Sequence, residues 1–298
     1  MKDLILATSF NYSYEQLYPF LRSIEDTGFD GEIALCIGNT SIPTINRLRE
    51  KGVRLIPFFY PFKRTKKMRN PLYRLWPFAH RFFRGIESPE LMARWTLPFH
   101  NLVFLRFVLY YRFLRTMPGR YRYIFLTDLR DVSFQQNPFA RAEPGKLRFY
   151  VEEPPRTLGE CPINSRWLRE YFGEEILREL ADKPIVCSGS ILGDYASTMT
   201  YLEQFILTLR QARDIMRGAD QGVHNYLAYK ELTSLVRLCP NRESEVLTMG
   251  LMPKDEVFAR NESGQLIDRN GHPYAVIHQF DRHESVKNDI VARYQFGA

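Results

Sequence analysis

The chain has 298 residues, 45% of them hydrophobic and 25% charged, a composition typical of a globular protein rather than a disordered one. This length allows one large α/β domain with a sizeable core. The formal net charge is +7, and the segment 62–85 carries eight lysines and arginines without a single acid.

Strand and helix patterns alternate in the first half of the chain, as they do in the βαβ units of a mainly parallel sheet. The predicted elements are a strand at 4–9, a helix at 14–27, a strand at 31–37, a helix at 43–51 and a strand at 53–59. A proline-rich stretch follows, and we interpret residues 62–99 as an irregular insertion because prolines interrupt regular structure. A helix at 100–117 and a buried strand at 121–126 end this half.

The second half has a less regular pattern. The predicted elements are strands at 147–151, 184–192, 235–238, 246–249 and 275–278, and helices at 165–172, 174–181, 195–217, 220–230 and 284–294. We expect the last three strands to close the sheet.

The sequence also indicates where the protein works. Its first residues are typical of a strand rather than a secretory leader, and the longest apolar stretch, 101–117, contains three arginines and is shorter than the ~20 residues of a membrane span. The four cysteines lack the spacing of a zinc site, which favours free thiols in a reducing cytoplasm. They are Cys36, Cys161, Cys187 and Cys239.

Two aspartates, Asp128 and Asp131, follow the buried strand at 121–126. In open α/β sheets, ligands bind beyond the carboxyl ends of the strands. Mg²⁺ and Mn²⁺ favour oxygen ligands and are commonly held by one or two carboxylates together with substrate phosphates. The pattern therefore indicates a divalent-cation site. The alternative is that Asp128 caps a turn and Asp131 pairs with Arg130 or another surface base.

The stretch 126–132 resembles the GT-A glycosyltransferases, in which a hydrophobic strand ends in Asp-x-Asp or Asp-x-x-Asp and holds the metal of a nucleotide sugar. Three later stretches are similar to that superfamily in the same order. Residues 187–193 resemble the strand that lines the sugar pocket, 220–223 the Asp-Gln helix start of family 8 enzymes, and 276–280 the strand that supplies a histidine to the metal. The family 8 likeness is partial, because the Lys-Pro-Trp signature is absent after His278.

The resemblance implies a Rossmann-like GT-A fold, with a mixed, mainly parallel central sheet flanked by helices and a basic aromatic insertion. It implies one catalytic domain over 1–298, with a nucleotide-binding half at 1–132 and an acceptor- and sugar-binding half at 133–298. The implied activity is a metal-dependent hexosyl or pentosyl transfer from a nucleotide-diphosphate sugar, with UDP favoured. The implied acceptor is a glycan or glycolipid, as in polysaccharide biosynthesis.

The resemblance also implies roles for individual residues. The metal, Mn²⁺ or Mg²⁺, would be held by Asp128, Asp131 and His278. The sugar would lie against Ser188, Gly189 and Ser190. Asp220 and Gln221 would be catalytic, either by stabilising the charged sugar or, for Asp220, by deprotonating the acceptor. The nucleotide would contact Thr8, Ser9, Phe10, Asn11, Arg112 and Asp128.

Each of these roles has a simpler alternative. Asp220 is also a favoured residue for capping a helix, and His278 is also consistent with a buried histidine bonded to backbone. Arg106 and Arg112 lie among apolar residues, where a guanidinium needs a partner. We expect Arg106 to form a structural ion pair and Arg112 to reach the nucleotide or Asp128.

The basic aromatic segment 62–85 suits an anionic surface, either membrane headgroups at the inner face of the membrane or an acidic glycan, and it shows no nucleic-acid motif. A plain solvated loop is the alternative. Two other functions remain open: a Mg²⁺-dependent phosphohydrolase with an aspartate nucleophile, and a non-catalytic polyanion-binding protein. The hydrolase ordinarily has its acids after the first strand, where this chain has Thr8, Ser9 and Phe10.

Overall fold

A computed structural model describes residues 1–60, 72, 75–154, 156–212 and 219–297. Its main sheet has seven strands in the order β3-β2-β1-β4-β7-β6-β8. These strands are β1 (Lys2–Phe10), β2 (Glu32–Gly38), β3 (Arg54–Pro57), β4 (Tyr121–Thr127), β6 (Leu147–Val151), β7 (Val186–Asp194) and β8 (Val236–Cys239). A smaller sheet has the order β5-β10-β9, formed by β5 (Val132–Phe134), β9 (Val246–Thr248) and β10 (Val276–His278).

Strand β7 runs antiparallel to both of its neighbours, and the other neighbouring pairs of the main sheet are parallel. The first four strands follow the order 3-2-1-4 of a Rossmann-like half. The fold class predicted from the sequence, a mixed and mainly parallel sheet flanked by helices, is therefore confirmed. One continuous sheet joins the two halves of the chain, because β4 of the first half pairs with β7 of the second.

The helices cover both faces of the main sheet. They are α1 (Tyr14–Asp26), α2 (Ile42–Glu50), α3 (Trp76–Phe83), α4 (Pro89–Thr96), α5 (Leu102–Arg115), α6 (Pro162–Phe172), α7 (Glu174–Leu180), α8 (Tyr195–Leu207), α9 (Ala219–Tyr226) and α10 (Glu284–Arg293). Side chains alternate along β1, so that Leu4 and Leu6 belong to the cluster that contains α5 and α8, whereas Ile5 and Ala7 belong to the cluster that contains α1.

Three predictions about the elements were wrong. The stretch 62–99 was expected to be irregular, but it contains α3 and α4. The strands predicted at 246–249 and 275–278 do not close the main sheet, since β9 and β10 join β5 in a sheet of their own. The helix predicted at 195–217 ends at Leu207 and continues as the 3₁₀ turn Thr208–Arg210, while residues 213–218 lie outside the described part of the chain.

The other predicted elements are present with shifts of a few residues at their ends. The predicted helix 220–230 consists of α9 followed by a π-helical turn, Leu227–Glu231. Most of the basic residues of the segment 62–85 lie outside the described residues, because 61–71, 73 and 74 are among those not described. Among the described helices, none has the length and apolar character needed to cross a membrane.

Candidate active site

Asp128 and Asp131 stand where the main sheet meets the smaller one. Strand β4 ends at Thr127, and the backbone N–H of Asp128 donates to the carbonyl of Gly189 on β7 over 2.8 Å. Strand β5 begins at Val132, directly after Asp131. The two aspartates therefore occupy the short link between strands of different sheets, and both ends of that link are held by backbone hydrogen bonds.

The smaller sheet brings His278 to this link. His278 is the last residue of β10 and pairs with Val132 of β5, so that it lies beside Asp131 in space although 147 positions separate them in the chain (278 − 131). One potential ligand atom from each of Asp128, Asp131 and His278 lies within 4.8 Å of the others. The structure thus brings together the three residues that the resemblance assigned to the metal.

The imidazole of His278 is fully buried between two partners. Its Nε2 atom lies 3.4 Å from Asp128 Oδ2, and its Nδ1 atom lies 3.7 Å from Cys187 Sγ. Burial acts to lower the pKa of His278, but Cys187, Asp131 and Glu152 together raise it above its ordinary value. The contact on Nδ1 leaves Nε2 directed at the carboxylate of Asp128, which is the arrangement of a histidine that ligates a metal through Nε2.

The donor set of this cluster fits a divalent cation. Two carboxylates and one imidazole are ligands that Mn²⁺ accepts, and carboxylate oxygens also suit Mg²⁺. The alternative pairing of Asp131 with a surface base is not found within the described residues, since Arg130 pairs with Asp281 at 2.9 Å. His278 is not satisfied by backbone, as the simpler alternative proposed, but by side chains.

Arg106 joins the candidate metal site to the predicted catalytic helix. Its guanidinium contacts Asp128 Oδ1 with one nitrogen, and its other terminal nitrogen donates to Asp220 Oδ2 at 3.0 Å and to the carbonyl of Ser188 at 3.3 Å. The hydroxyl of Ser188 also donates to Asp220 Oδ2 over 3.3 Å. Arg106 does form the ion pair expected from the sequence, but its partners are two of the predicted site residues.

The helix α9 presents Asp220 from its first turn, and Asp220 is buried in the contact with Arg106 and Ser188. One turn later, His224 is buried against the ring of Phe149, with its Nδ1 atom 3.0 Å from the hydroxyl of Tyr201. Burial and, to a smaller degree, Arg106 lower the pKa of His224 to about 3, so this imidazole is neutral. Asp220 and Arg106 are therefore the charged pair on this side of the site.

Gln221 is held by two acceptors that the sequence analysis did not identify. Its side-chain nitrogen donates to Glu152 Oε1 at 3.1 Å and to Asn164 Oδ1 at 3.0 Å. Because both amide hydrogens have acceptors, the orientation of the amide group is fixed. Burial raises the pKa of Glu152, while His278 and the hydrogen bonds from Gln221 and Cys187 act to lower it.

The predicted nucleotide-binding residues lie at two separate places. Thr8 to Asn11 stand at the carboxyl end of β1, beside β4, as expected. Phe10 is buried against Phe58 and Tyr60, with ring centroids 6.1 and 5.6 Å away, and Asn11 Oδ1 accepts a hydrogen bond from Asn39 at 2.8 Å. Arg112 is exposed and lines a cavity between β3 and α5. The arginine that contacts Asp128 is Arg106, not Arg112.

Asp128, Asp131 and His278 are called the acidic cluster below. A glycine is required at position 189 because β7 passes very close to this cluster. A Cβ atom at this position would lie 2.5 Å from His278 Cε1 and 2.6 Å from Asp128 Oδ2. Such distances are far shorter than van der Waals contact, so any side chain here would displace His278 or Asp128. The predicted sugar-binding residues Ser188 and Ser190 flank this glycine, and within the described residues the buried hydroxyl of Ser190 has no hydrogen-bond partner.

Substitution of Gly189 by alanine is expected to destabilise the protein by about 1–3 kcal/mol, the usual cost of overpacking. We also expect a weaker affinity for Mn²⁺, because the new methyl group pushes apart two of the three candidate ligands. Urea unfolding and calorimetric titration with Mn²⁺ measure the two effects. The control is Gly85→Ala, where the added Cβ meets no atom within 4 Å. Equal behaviour of the two variants would contradict the crowding described here.

Comparisons with known proteins add distant likenesses. No protein-family model matches the chain, and no curated protein matches it. Among solved structures, core-mannan synthase A from Aspergillus fumigatus in its Mn/GDP form is 14% identical with a TM-score of 0.42, over 82% of this chain and 73% of that one.

The galactosyltransferase LgtC, in complex with donor and acceptor sugar analogues, is 16% identical with a TM-score of 0.46, over 93% of this chain and 86% of that one. A variant of LgtC with one substitution in its active site is 13% identical with a TM-score of 0.48, over 92% and 86%. Their names describe a mannan synthase and a galactosyltransferase.

Sequence reasoning missed Glu152 and Asn164, and it gave Arg106 only a structural role. A signal was present for Glu152, because Glu152 and Glu153 follow the apolar strand β6 just as Asp128 follows β4. Asn164 offered no such signal. It lies inside α6 and reaches Gln221 only because α6 packs against α9.

Proposed function

We propose that this protein is a metal-dependent glycosyltransferase of the GT-A type, which moves a sugar from a nucleotide-diphosphate donor to a glycan or glycolipid. The observation that carries the proposal is the convergence of Asp128, Asp131 and His278 beyond the carboxyl end of the central strand, with Asp220 joined to them through Arg106. UDP is the favoured nucleotide through the family resemblance. Mn²⁺ or Mg²⁺ is the proposed ion.

The bond that breaks joins the anomeric carbon of the sugar to the donor diphosphate. Negative charge grows on the leaving diphosphate, and a bound divalent cation supplies Lewis-acid stabilisation of that charge. Asp128, Asp131 and His278 would hold the cation. Arg106 keeps the carboxylates of Asp128 and Asp220 close to each other without mutual repulsion, and this pairing would position Asp220 before the donor enters.

Positive charge grows on the sugar as the bond breaks, and Asp220 and Gln221 are the proposed groups that face it. Gln221 donates its two amide hydrogens to Glu152 and Asn164. Its side-chain oxygen is therefore the atom that would stabilise the positive charge on the sugar. In an inverting reaction, Asp220 would instead take the proton of the acceptor hydroxyl. The salt bridge with Arg106 would hold the carboxylate of Asp220 in position in either role.

The proposed acceptor site is a cavity of about 760 Å³ beyond the ends of β6 and β8. Glu152 lines this cavity and also accepts the hydrogen bond from Gln221, so the cavity adjoins the proposed catalytic amide. Polar side chains suited to sugar hydroxyls line it further: Glu153, Asn241, Arg242 and Asp268. Tyr274 adds an aromatic wall of the kind against which sugar rings can pack.

The nucleotide is proposed to lie over the ends of β1 and β4. Thr8, Ser9 and Asn11 would face the base and ribose, and the metal-bound diphosphate would extend towards Gly189. The nucleotide contact of Arg112 remains a prediction. The four buried, free cysteines favour a reducing compartment, and we propose a cytoplasmic enzyme. No described residue supports the phosphohydrolase alternative, since β1 ends at Phe10 and the acids lie beyond β4.

The experiment that tests the proposal is a screen of UDP- and GDP-sugars for slow hydrolysis by the full chain, with Mn²⁺ and with EDTA. Glycosyltransferases release free sugar when water replaces the acceptor. We expect metal-dependent release from one donor or a small group of donors. Release of phosphate from simple phosphomonoesters, with no release of sugar from any donor, would overturn the proposal in favour of the phosphohydrolase.

Removal of the Glu152 carboxylate is expected to slow turnover more than it weakens donor binding. In Glu152→Ala, the amide of Gln221 loses one of its two acceptors and is no longer held in one orientation. A small displacement of a catalytic group costs about 100-fold in rate, and we expect a fall of this order in kcat with a nearly unchanged KM for the donor. Steady-state hydrolysis of the donor found in the screen measures both constants.

The matched control is Glu153→Ala. Glu153 is the adjacent residue and lines the same cavity, but it pairs with Arg242 and Asn241 rather than with Gln221. Hydrolysis by this variant should stay close to that of the wild type. If Glu152→Ala raised KM and left kcat unchanged, Glu152 would serve donor binding and not the orientation of Gln221.

A further inference from the structure

The helices α3 and α4 each bury one face and expose an apolar face that carries an arginine. In α3, Phe78 and Phe82 are 72% and 82% exposed, and Arg81 lies between them in sequence. In α4, Leu91 and Trp95 are 47% and 60% exposed, and Arg94 precedes Trp95 in the same way. Residues four apart lie on one side of a helix, so each helix presents two large apolar side chains and an arginine together.

The opposite faces of both helices are anchored in the core. Trp76 of α3 is buried and donates from Nε1 to the carbonyl of Ala212 at 3.1 Å, while His80 Nε2 lies 2.8 Å from the carbonyl of Arg210. Helix α4 packs against α8 through its buried face, which contains Met92 and Ala93. Both helices therefore cover one layer, formed by α8 and the turn that follows it.

Within the described part of the chain, the exposed side chains of α3 and α4 are not needed to cover this layer. A surface helix of a globular protein normally turns its apolar side chains inward and its polar ones outward. Here Trp76, Phe83 and Met92 already fill the inward positions, and the outward positions also hold large apolar residues. Large apolar side chains that are exposed in this way mark a surface that contacts another phase or partner.

The positive charge of this region indicates an anionic partner. From residue 61 to residue 86 the sequence has eight lysines and arginines and no aspartate or glutamate. Of these, Arg81 and Arg84 are described and exposed, and Arg94 adds a further exposed cation. Glu90 of α4 is compensated by Arg115 at 2.6 Å. Short helices with Trp, Phe and Leu on the outer face and arginines beside them suit the boundary between anionic headgroups and acyl chains.

We propose that the exposed faces of α3 and α4, namely Phe78, Arg81, Phe82, Leu91, Arg94 and Trp95, form a surface that docks on bilayers containing anionic lipids. The aromatic and aliphatic side chains enter the headgroup region, and the arginines meet lipid phosphates. This surface is separate from the acidic cluster, and docking needs neither a donor nor a metal. It would hold the enzyme at the place where lipid-linked acceptors occur.

The test is sedimentation of the full chain with vesicles, without metal or nucleotide. Vesicles of phosphatidylcholine and phosphatidylglycerol in equal parts are compared with vesicles of phosphatidylcholine alone. We expect binding to the anionic vesicles, much weaker binding to the neutral ones, and at least about a tenfold loss of binding in the double variant Phe82→Ser/Trp95→Ser, because two large apolar side chains no longer enter the bilayer.

The control is the double variant Ile42→Ser/Val291→Ser, which removes two exposed apolar side chains from α2 and α10. It should bind anionic vesicles as the wild type does. The side chains replaced in both double variants are exposed, and circular dichroism checks that each variant is folded. Three outcomes would overturn the proposal: equal binding by both double variants, binding to heparin but not to vesicles, or a dimer that Phe82→Ser/Trp95→Ser dissociates without any vesicle binding.

Discussion

Replacing Arg106 with methionine is expected to lower the free energy of unfolding by about 3 kcal/mol, at the lower end of the range for buried ion pairs because Asp128 is partly exposed. The variant leaves the carboxylates of Asp128 and Asp220 facing each other without the cation between them. Methionine keeps most of the apolar stem, so the loss reports the charge rather than the volume. Urea unfolding of both proteins measures the difference.

The same substitution should reduce the rate of donor hydrolysis by about 100- to 1,000-fold, since a preorganised charged group at the reacting centre is lost. The control is Arg115→Met on the same helix. Arg115 pairs with Glu90 at the surface, where solvent screens the charges, so the loss of this pair should hardly change the stability. If both variants lost the same small amount of stability, the contact of Arg106 with two carboxylates would not stabilise the fold as predicted.

Replacing Asp131 with asparagine is expected to weaken the affinity for Mn²⁺ by at least about 100-fold. Mutation of a residue that only hydrogen-bonds to a metal ligand typically lowers the metal affinity about 10- to 100-fold, and mutation of a direct ligand should lower it no less. Asparagine has nearly the same shape but lacks the charge. No lysine or arginine of the described residues pairs with Asp131, so the fold should be almost unaffected. Calorimetric titration with Mn²⁺ gives the affinity.

Asp281→Asn is the matched control for this prediction. Asp281 lies on the turn after β10 and pairs with Arg130, one residue before Asp131, but it does not belong to the acidic cluster. Removal of its charge changes the electrostatic potential near the site without removing a ligand. An equal loss of Mn²⁺ affinity in both variants would mean that general charge, and not coordination by Asp131, attracts the ion.

The main sheet and the acids after β4 were predictable because both leave a local pattern. A run of apolar residues that ends abruptly in aspartates marks a buried strand and its functional end, and the alternation of strands and helices marks the parallel half. Strands β9 and β10 also left a local pattern and were predicted, but the pattern did not show that they form a separate sheet with β5. Strands β5, β9 and β10 have three residues each, and β5 joins this sheet through pairs more than 100 residues apart in the chain, such as Val132 with His278.

The helices α3 and α4 were missed because their prolines were interpreted as interruptions. Pro77 and Pro89 stand in the first turns of these helices, where the missing N–H would have no intrahelical partner and the fixed backbone angle suits a helix. The role of Arg106 was underestimated for a different reason. Its neighbours in sequence are apolar. Its partners are Asp128, which follows β4, and Asp220 of α9, and only the tertiary fold brings them to α5.

Metal-dependent nucleotide binding is the most direct test of the proposed site. Calorimetry of the wild-type chain with UDP and with GDP, each in Mn²⁺ and in EDTA, measures it without knowledge of the sugar or the acceptor. We expect one of the two nucleotides to bind in Mn²⁺ and to lose its affinity in EDTA, because Asp128, Asp131 and His278 would hold the ion that holds the diphosphate. Binding of equal strength in EDTA, or no binding of either nucleotide in Mn²⁺, would contradict the proposed function.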